Sequence, residues 1–227
     1  MRVLIGCEYS GIFRRAFTGW GHDTWSCDLL PAEDGSNHHI VGDVRDYLNE
    51  GWDLLVVLHP PCTRLCRSGR RWLSGPGYMT PPKQLPKGRT WDSMKQEFAE
   101  AVDLFTACWK APVERIAVEN PVMHDIALKH MPDDLPAPHI VQPWWFGHPV
   151  FKATGWYLKN LKGLEPTDML TPPEKGTEEW KKWSKIWLMK PGEDRGHERS
   201  RSFPGMADAG ALQWGGDALN QIAEALI

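Results

Sequence analysis

The sequence has no long apolar run: its longest hydrophobic stretches are strand-sized, so neither a membrane-spanning helix nor a secretory leader is expected. Cysteine is sparse, with five residues scattered at 7, 27, 62, 66 and 108. An odd, dispersed set does not make a disulfide framework, and reduced thiols in a cytoplasmic setting are expected. Charge of one sign is also lacking, since 26 Lys and Arg face 29 Asp and Glu for a net charge of −3. That excludes a polycation binding nucleic acid by bulk charge, while leaving room for a local basic channel. No repeat or low-complexity tract is present, and 227 residues suffice for one sizeable core or one core with a small appendage. A clean GxGxxG is missing, and the first turn, GCEYSG, matches a dinucleotide fingerprint poorly. No second Cys or His pair follows Cys62 and Cys66 at finger spacing, so no metal site is expected.

Tryptophan, by contrast, is abundant at 13 residues. These rings either supply core volume or offer stacking platforms for bases, and sequence leaves both readings open. The first sixty residues alternate in a βαβ rhythm: a strand at Arg2–Ile5, a helix in IFRRAFTGWG, and strands ending at Asp28, Asp43 and Leu58. A mostly parallel α/β sheet follows from that rhythm. Residues 74–90 read as a long Pro/Gly/Lys loop, and Trp91–Lys110 reads as a helix with Phe98, Ala101, Val102, Phe105 and Cys108 on one face. VERIAVENP reads as a fifth strand, and HIVQPWWFGHP and FKATGWYLKNL as two more. EEWKKWSKIW is expected to form a short helix, and GDALNQIAEALI an amphipathic one.

Chemistry-bearing residues fall at the carboxyl ends of these strands, where open α/β sheets place ligands. The apolar run WDLLVVL leads into His59-Pro60-Pro61-Cys62, so the prolines end the strand and present the thiol on a stiff turn. Arg64, Arg67, Arg70 and Arg71 follow. Cys62 is then either a nucleophile with a pKa lowered by guanidinium neighbours or a small buried residue after a proline pair. Asp28 and Asp43 are either ribose-binding acids or ordinary turn residues. Glu119 either carries function or pairs with Arg115 or a loop arginine. His59 either contacts a cofactor or finishes its strand. A ribose-bearing cofactor without a pyrophosphate needs no glycine fingerprint.

HPPC after strand four, ENP after strand five and acidic ends on strands two and three together resemble the motif order of DNA cytosine-C5 methyltransferases, in the manner of the small members predicted from bacteriophage genomes. CEYSGIFRRAF is similar to that family's cofactor turn and helix, and RSRSFPGMADAGALQWGGDALNQIAEAL to its closing stretch. The resemblance implies a Rossmann-like, S-adenosylmethionine-dependent fold, with a catalytic domain at 1–162, a reduced target-recognition insertion at 163–200 and a returning segment at 201–227. It implies Cys62 as nucleophile towards C6 of a cytosine flipped out of duplex DNA. Glu119-Asn120 would act as the acid, and Lys152 would stand where the family carries an Arg-x-Arg pair. Cofactor contacts are implied at Ser10, Gly11, Asp28, Leu29, Asp43, Val44, His59 and Pro60. DNA contacts are implied at Thr63, Arg64, Arg67, Arg70 and Arg71. Host cytoplasm is implied if the chain is phage-encoded, with no membrane and no obligate protein partner.

Two departures from the pattern stand out. Thr63 replaces the usual glutamine, and Lys152-x-Thr154 replaces Arg-x-Arg. A lysine neutralises phosphate without reproducing a bidentate guanidinium fork. The short insertion leaves little room for reading a long DNA sequence. Methylation of a free pyrimidine nucleotide and a non-catalytic DNA- or protein-binding relative are therefore the alternatives.

Overall fold

A computed structural model describes residues 1–70, 85, 87–189 and 201–216. Seven strands form one sheet: β1 (Arg2–Gly6), β2 (Asp23–Asp28), β3 (His39–Val41), β4 (Leu54–Val57), β5 (Arg115–Glu119), β6 (His139–Val141) and β7 (Thr154–Lys159). Their order is β3-β2-β1-β4-β5-β7-β6. All pairs from β3 to β5 are parallel, and β7 runs antiparallel between β5 and β6. The expected α/β, Rossmann-like, mostly parallel sheet is the observed fold class.

The parallel strands read as continuous apolar runs because both faces are covered. Alternation along β1 and β4 sends Val3, Ile5, Leu54 and Val56 to one face and Leu4, Leu55 and Val57 to the other. The first face packs on α1 (Ile12–Gly19), through Phe13 and Phe17, and on α6 (Pro204–Gly210), through Met206 and Ala207. The second packs on α2 (Trp91–Trp109), through Ala101, Phe105 and Cys108. A capping box starts α2: Ser93 N–H donates to Thr90 Oγ1 at 3.1 Å, and Thr90 N–H donates to Ser93 Oγ at 2.9 Å. Short helices α3 (Asp125–Leu128), α4 (Glu178–Trp183) and α5 (Lys185–Leu188) complete the set among the described residues.

Trp109, Trp156 and Trp214 are fully buried and Trp52 and Trp183 nearly so, which makes these rings core volume. The third strand ends at Val41 instead of Asp43, because Asp43 caps the following 3-10 turn, its Oδ1 accepting from Arg45 N–H at 3.0 Å. Sequence reading missed α3 and α6. Most of the expected loop at 74–90, Arg71 and nearly all of the expected C-terminal helix lie outside the described residues. No described helix is long and apolar enough to cross a membrane.

Candidate active site

In the strand order, β1 has β2 on one side and β4 on the other, so the chain's connections diverge there and leave a crevice at the carboxyl edge. Cys7, the first residue past β1, has φ 54°, an uncommon left-handed conformation for a non-glycine residue, and it sits at that point. The following turn is organised by Glu8, which sequence reading passed over. Its Oε1 accepts from Phe13 N–H at 2.8 Å and Ser10 Oγ–H at 3.1 Å, and its Oε2 from Arg14 N–H at 3.2 Å. Ser10 is buried. Gly11, at φ 69°, is hemmed in by Arg14, Arg15 and Asp34, so a side chain there would collide with them. Ser10 and Gly11 thus serve the turn itself.

Asp28 ends β2, half-buried; its Oδ1 accepts from Leu30 N–H at 3.0 Å. Burial raises its carboxyl above the ordinary range, against the pull of the Leu30 N–H, His39 and the Leu29 N–H. Leu29 beside it is 74% exposed, and Val41, paired with Asp28 across the sheet, is 59% exposed. Asp43 is differently placed: Arg45 binds both its oxygens, at 3.1 Å or less, and holds its carboxyl below the usual range. Val44 is buried with its side chain over Gly6.

Along the edge, Val57 of β4 pairs with Val118 of β5, so the segments leaving the two strands run side by side. Those segments carry His59-Pro60-Pro61-Cys62 and Glu119-Asn120. The turn bearing Cys62 is stitched to the segment after β5: His124 N–H donates to Leu65 O at 3.0 Å, and Arg67 N–H to Val122 O at 3.3 Å. Cys62 is half-buried. Glu119 is 7% exposed, and among the described residues no hydrogen-bond donor reaches its carboxyl. Burial pushes that carboxyl up to about 7, with Lys152's charge pulling the other way. Asn120 is wholly buried; its Nδ2–H donates to Pro121 O at 2.6 Å and its Oδ1 has no partner among the described residues.

Glu119, Leu58, His59 and Lys152 line a narrow cleft that opens to solvent, together with Thr154 and Trp156 of β7. Arg201, Ser202 and Phe203 close one side of it. Ser202 Oγ lies 3.0 Å from His59 Nε2, Lys152 Nζ donates to Arg201 O at 3.2 Å, and Arg201 pairs with Glu33 at 3.0 Å. Burial and then Lys152 depress the His59 imidazole to about 3, so it is neutral. The structure therefore gathers Cys62, Glu119, Lys152 and His59 at one end of the sheet. It also adds Trp156 and the 201–203 segment, which lies too far along the chain for a local motif to announce.

The arginines correct the sequence reading. A guanidinium-lowered thiol is one of the two sequence expectations for Cys62; instead burial, Glu119 and Cys66 push the thiol up to about 12, against a backbone hydrogen bond at Cys62 and the charge of Lys152. Arg64 is buried and pairs with Glu97 at 2.7 Å, so it is held in the protein and not presented to a phosphate. Arg70 grips Asp125 through Nε at 2.6 Å and Nη2 at 3.1 Å. Thr63 and Arg67 are exposed. The alternative Glu119–Arg115 pair does not form, because the two residues stand at opposite ends of β5 and Arg115 reaches Trp214 O. Among the described residues no cluster of three or more His, Cys, Asp or Glu is arranged to hold a metal ion.

No protein-family description matches this chain. None of the curated proteins matches it either. Among solved structures, it is similar to a candidate DNA modification methyltransferase encoded within an E. coli prophage, with 14% identity and a TM-score of 0.44. The alignment covers 75% of this chain and 52% of that one, so this chain spans about half of its length. At that identity and score the likeness carries no argument about chemistry.

Proposed function

We propose that this chain methylates C5 of cytosine in DNA, with S-adenosylmethionine as donor and Cys62 as covalent nucleophile. The observation that carries the reading is the convergence of a thiol and a buried carboxyl at the ends of adjacent parallel strands, with the Glu119 carboxyl raised to about 7. A carboxyl titrating near neutrality is suited to proton transfer at working pH.

Cys62 first releases its thiol proton to solvent; its thiolate sulfur then bonds to C6 as Glu119 delivers a proton to N3, which leaves C5 electron-rich. The two residues are coupled. Charged Glu119 raises the Cys62 thiol, so a protonated Glu119 both serves N3 and removes a charge that opposes thiolate formation. S-adenosylmethionine, when bound, supplies an electrophilic sulfonium methyl group. After C5 is methylated, its proton passes to solvent water, the C5–C6 double bond reforms with Cys62 leaving as thiolate, and the N3 proton returns to Glu119. Lys152 sets the balance by favouring the charged forms of both Glu119 and Cys62. The residues suit the donor: Asp28 offers a carboxyl at the crevice, and Leu29 and Val41 offer apolar surface beside it.

Nucleoside mass spectrometry on duplex DNA incubated with the protein and S-adenosylmethionine tests the proposal. 5-Methyldeoxycytidine is expected, and none with Cys62→Ala. A free cytosine nucleotide is the second reading, supported by the slight build of the insertion, where 163–189 holds only α4 and α5 among proline-rich loops. Methylation of deoxycytidine phosphates but not of DNA would select it.

A further inference from the structure

The turn from β1 into α1 occupies the place where nucleotide-binding α/β folds grip phosphate with the N–H groups of a helix N-terminus. In this chain those donors are engaged internally. The first three helical N–H groups, of Ile12, Phe13 and Arg14, donate to Ser10 Oγ, Glu8 Oε1 and Glu8 Oε2 at 3.3, 2.8 and 3.2 Å. The fourth, of Arg15, makes its helical bond to Gly11 O at 2.9 Å. A carboxylate that is wholly buried thus sits where a pyrophosphate would. The glycine that would let a phosphate approach the backbone is covered by Arg14, Arg15 and Asp34, and Asp34 pairs with both arginines.

We propose that Glu8 is a specificity determinant that makes the crevice reject phosphate: it accepts an adenosine-bearing ligand only when the part facing α1 carries no phosphate. The proposal deepens the methyl-transfer reading and rests on it for the identity of the natural ligand. Burial raises the Glu8 carboxyl, and the Phe13 and Arg14 N–H groups, the Ser10 hydroxyl and the Arg14 charge act against that rise. Those three donors fix the carboxyl group in place, with both its oxygens accepting from the turn. A bound phosphate would have to displace the Glu8 oxygens from the Phe13 and Arg14 N–H groups and so break two of the carboxyl's hydrogen bonds. The amino-acid end of a methionine-bearing adenosine carries an ammonium beside its carboxylate, so it brings no net anion to compete for those N–H groups.

Calorimetric titration of the full chain with adenosine, ADP and S-adenosylhomocysteine tests this, on wild type, Glu8→Ala and Glu8→Gln. The glutamine variant keeps the volume and one acceptor if the alanine variant does not fold. Wild type is expected to bind ADP at least tenfold more weakly than adenosine, and the ratio is expected to collapse towards one in either folded variant. ADP binding as well as adenosine in wild type, no binding of either, or a ratio unchanged in the folded variants would overturn the proposal. If S-adenosylhomocysteine fails to bind while adenosine binds and ADP does not, phosphate exclusion stands and the methyl-donor reading falls. If S-adenosylhomocysteine binds and ADP matches adenosine, the reverse holds.

Discussion

Replacing Glu119 by glutamine separates its role in chemistry from its effect on stability. The folded carboxyl keeps its proton up to about pH 7, whereas an unfolded one releases it near 4.5. Between those values the folded state binds the extra proton, so this group's contribution to stability falls as pH rises through the window and is wholly lost above 7. The difference corresponds to about 3 kcal/mol of destabilisation at pH 8 and less than about 1 kcal/mol at pH 5. Glutamine has nearly the same volume and never ionises, and no described donor depends on the native carboxyl. Glu119→Gln should therefore raise stability at pH 8 by about 3 kcal/mol, or Tm by roughly 6–12 °C for a chain of this size. At pH 5 it should be nearly neutral, while methyl transfer is lost at both. Urea unfolding of wild type and variant at the two pH values reads this directly. A gain equal at both pH values, or a variant less stable than wild type at pH 8, would refute the claim that an ionised Glu119 is held at a cost.

Lys152→Ala removes the charge opposing the rise of Glu119, so the high-pH limb of the kcat/KM profile, set by deprotonation of that acid, should move to higher pH. A limb that stays in place would separate the two residues. Arg64→Ala and Arg67→Ala should behave oppositely. The first breaks a buried ion pair and should lower stability by about 1–3 kcal/mol, tempered by the partial exposure of Glu97 and its second partner Arg89. The second leaves Tm unchanged and, if Arg67 meets a phosphate, weakens DNA binding and reduces the salt slope of log K by about one. Gly11→Ala forces a side chain into the left-handed region and into the Arg14–Asp34–Arg15 cluster, so a loss of roughly 1–3 kcal/mol is expected by thermal unfolding.

The sheet was legible because its strands are buried on both faces: runs such as LLVV and RIAVE need no amphipathic pattern to be read, and a proline pair marks where β4 must stop. Parallel neighbours then bring Cys62 and Glu119 to one edge, so the pairing followed from strand order alone. Partners distant in sequence were not legible. Arg64 looked like a phosphate-binding residue because nothing local names Glu97, which lies 33 positions on, as its counter-ion. The direction of the Cys62 shift stayed open for the same reason: four arginines nearby in sequence allow a depressed thiol, but Arg64 and Arg70 turn to other partners while burial and Glu119 push it up. Glu8 was overlooked because a carboxylate three residues ahead of the helix cap follows no standard capping pattern. Ser202 reaches His59 across 143 positions, a contact that only folding reveals.

A covalent bond between Cys62 and cytosine C6 can be trapped. A duplex carrying 5-fluorocytosine blocks the last step, because fluorine at C5 cannot leave as a proton does, so the adduct should persist. With S-adenosylmethionine present, wild type is predicted to give a denaturation-resistant protein–DNA complex whose cross-linked peptide contains Cys62. Cys62→Ala should stay folded and give none. A complex of equal yield from Cys62→Ala, or a cross-link at another residue, would mean that Cys62 is not the nucleophile.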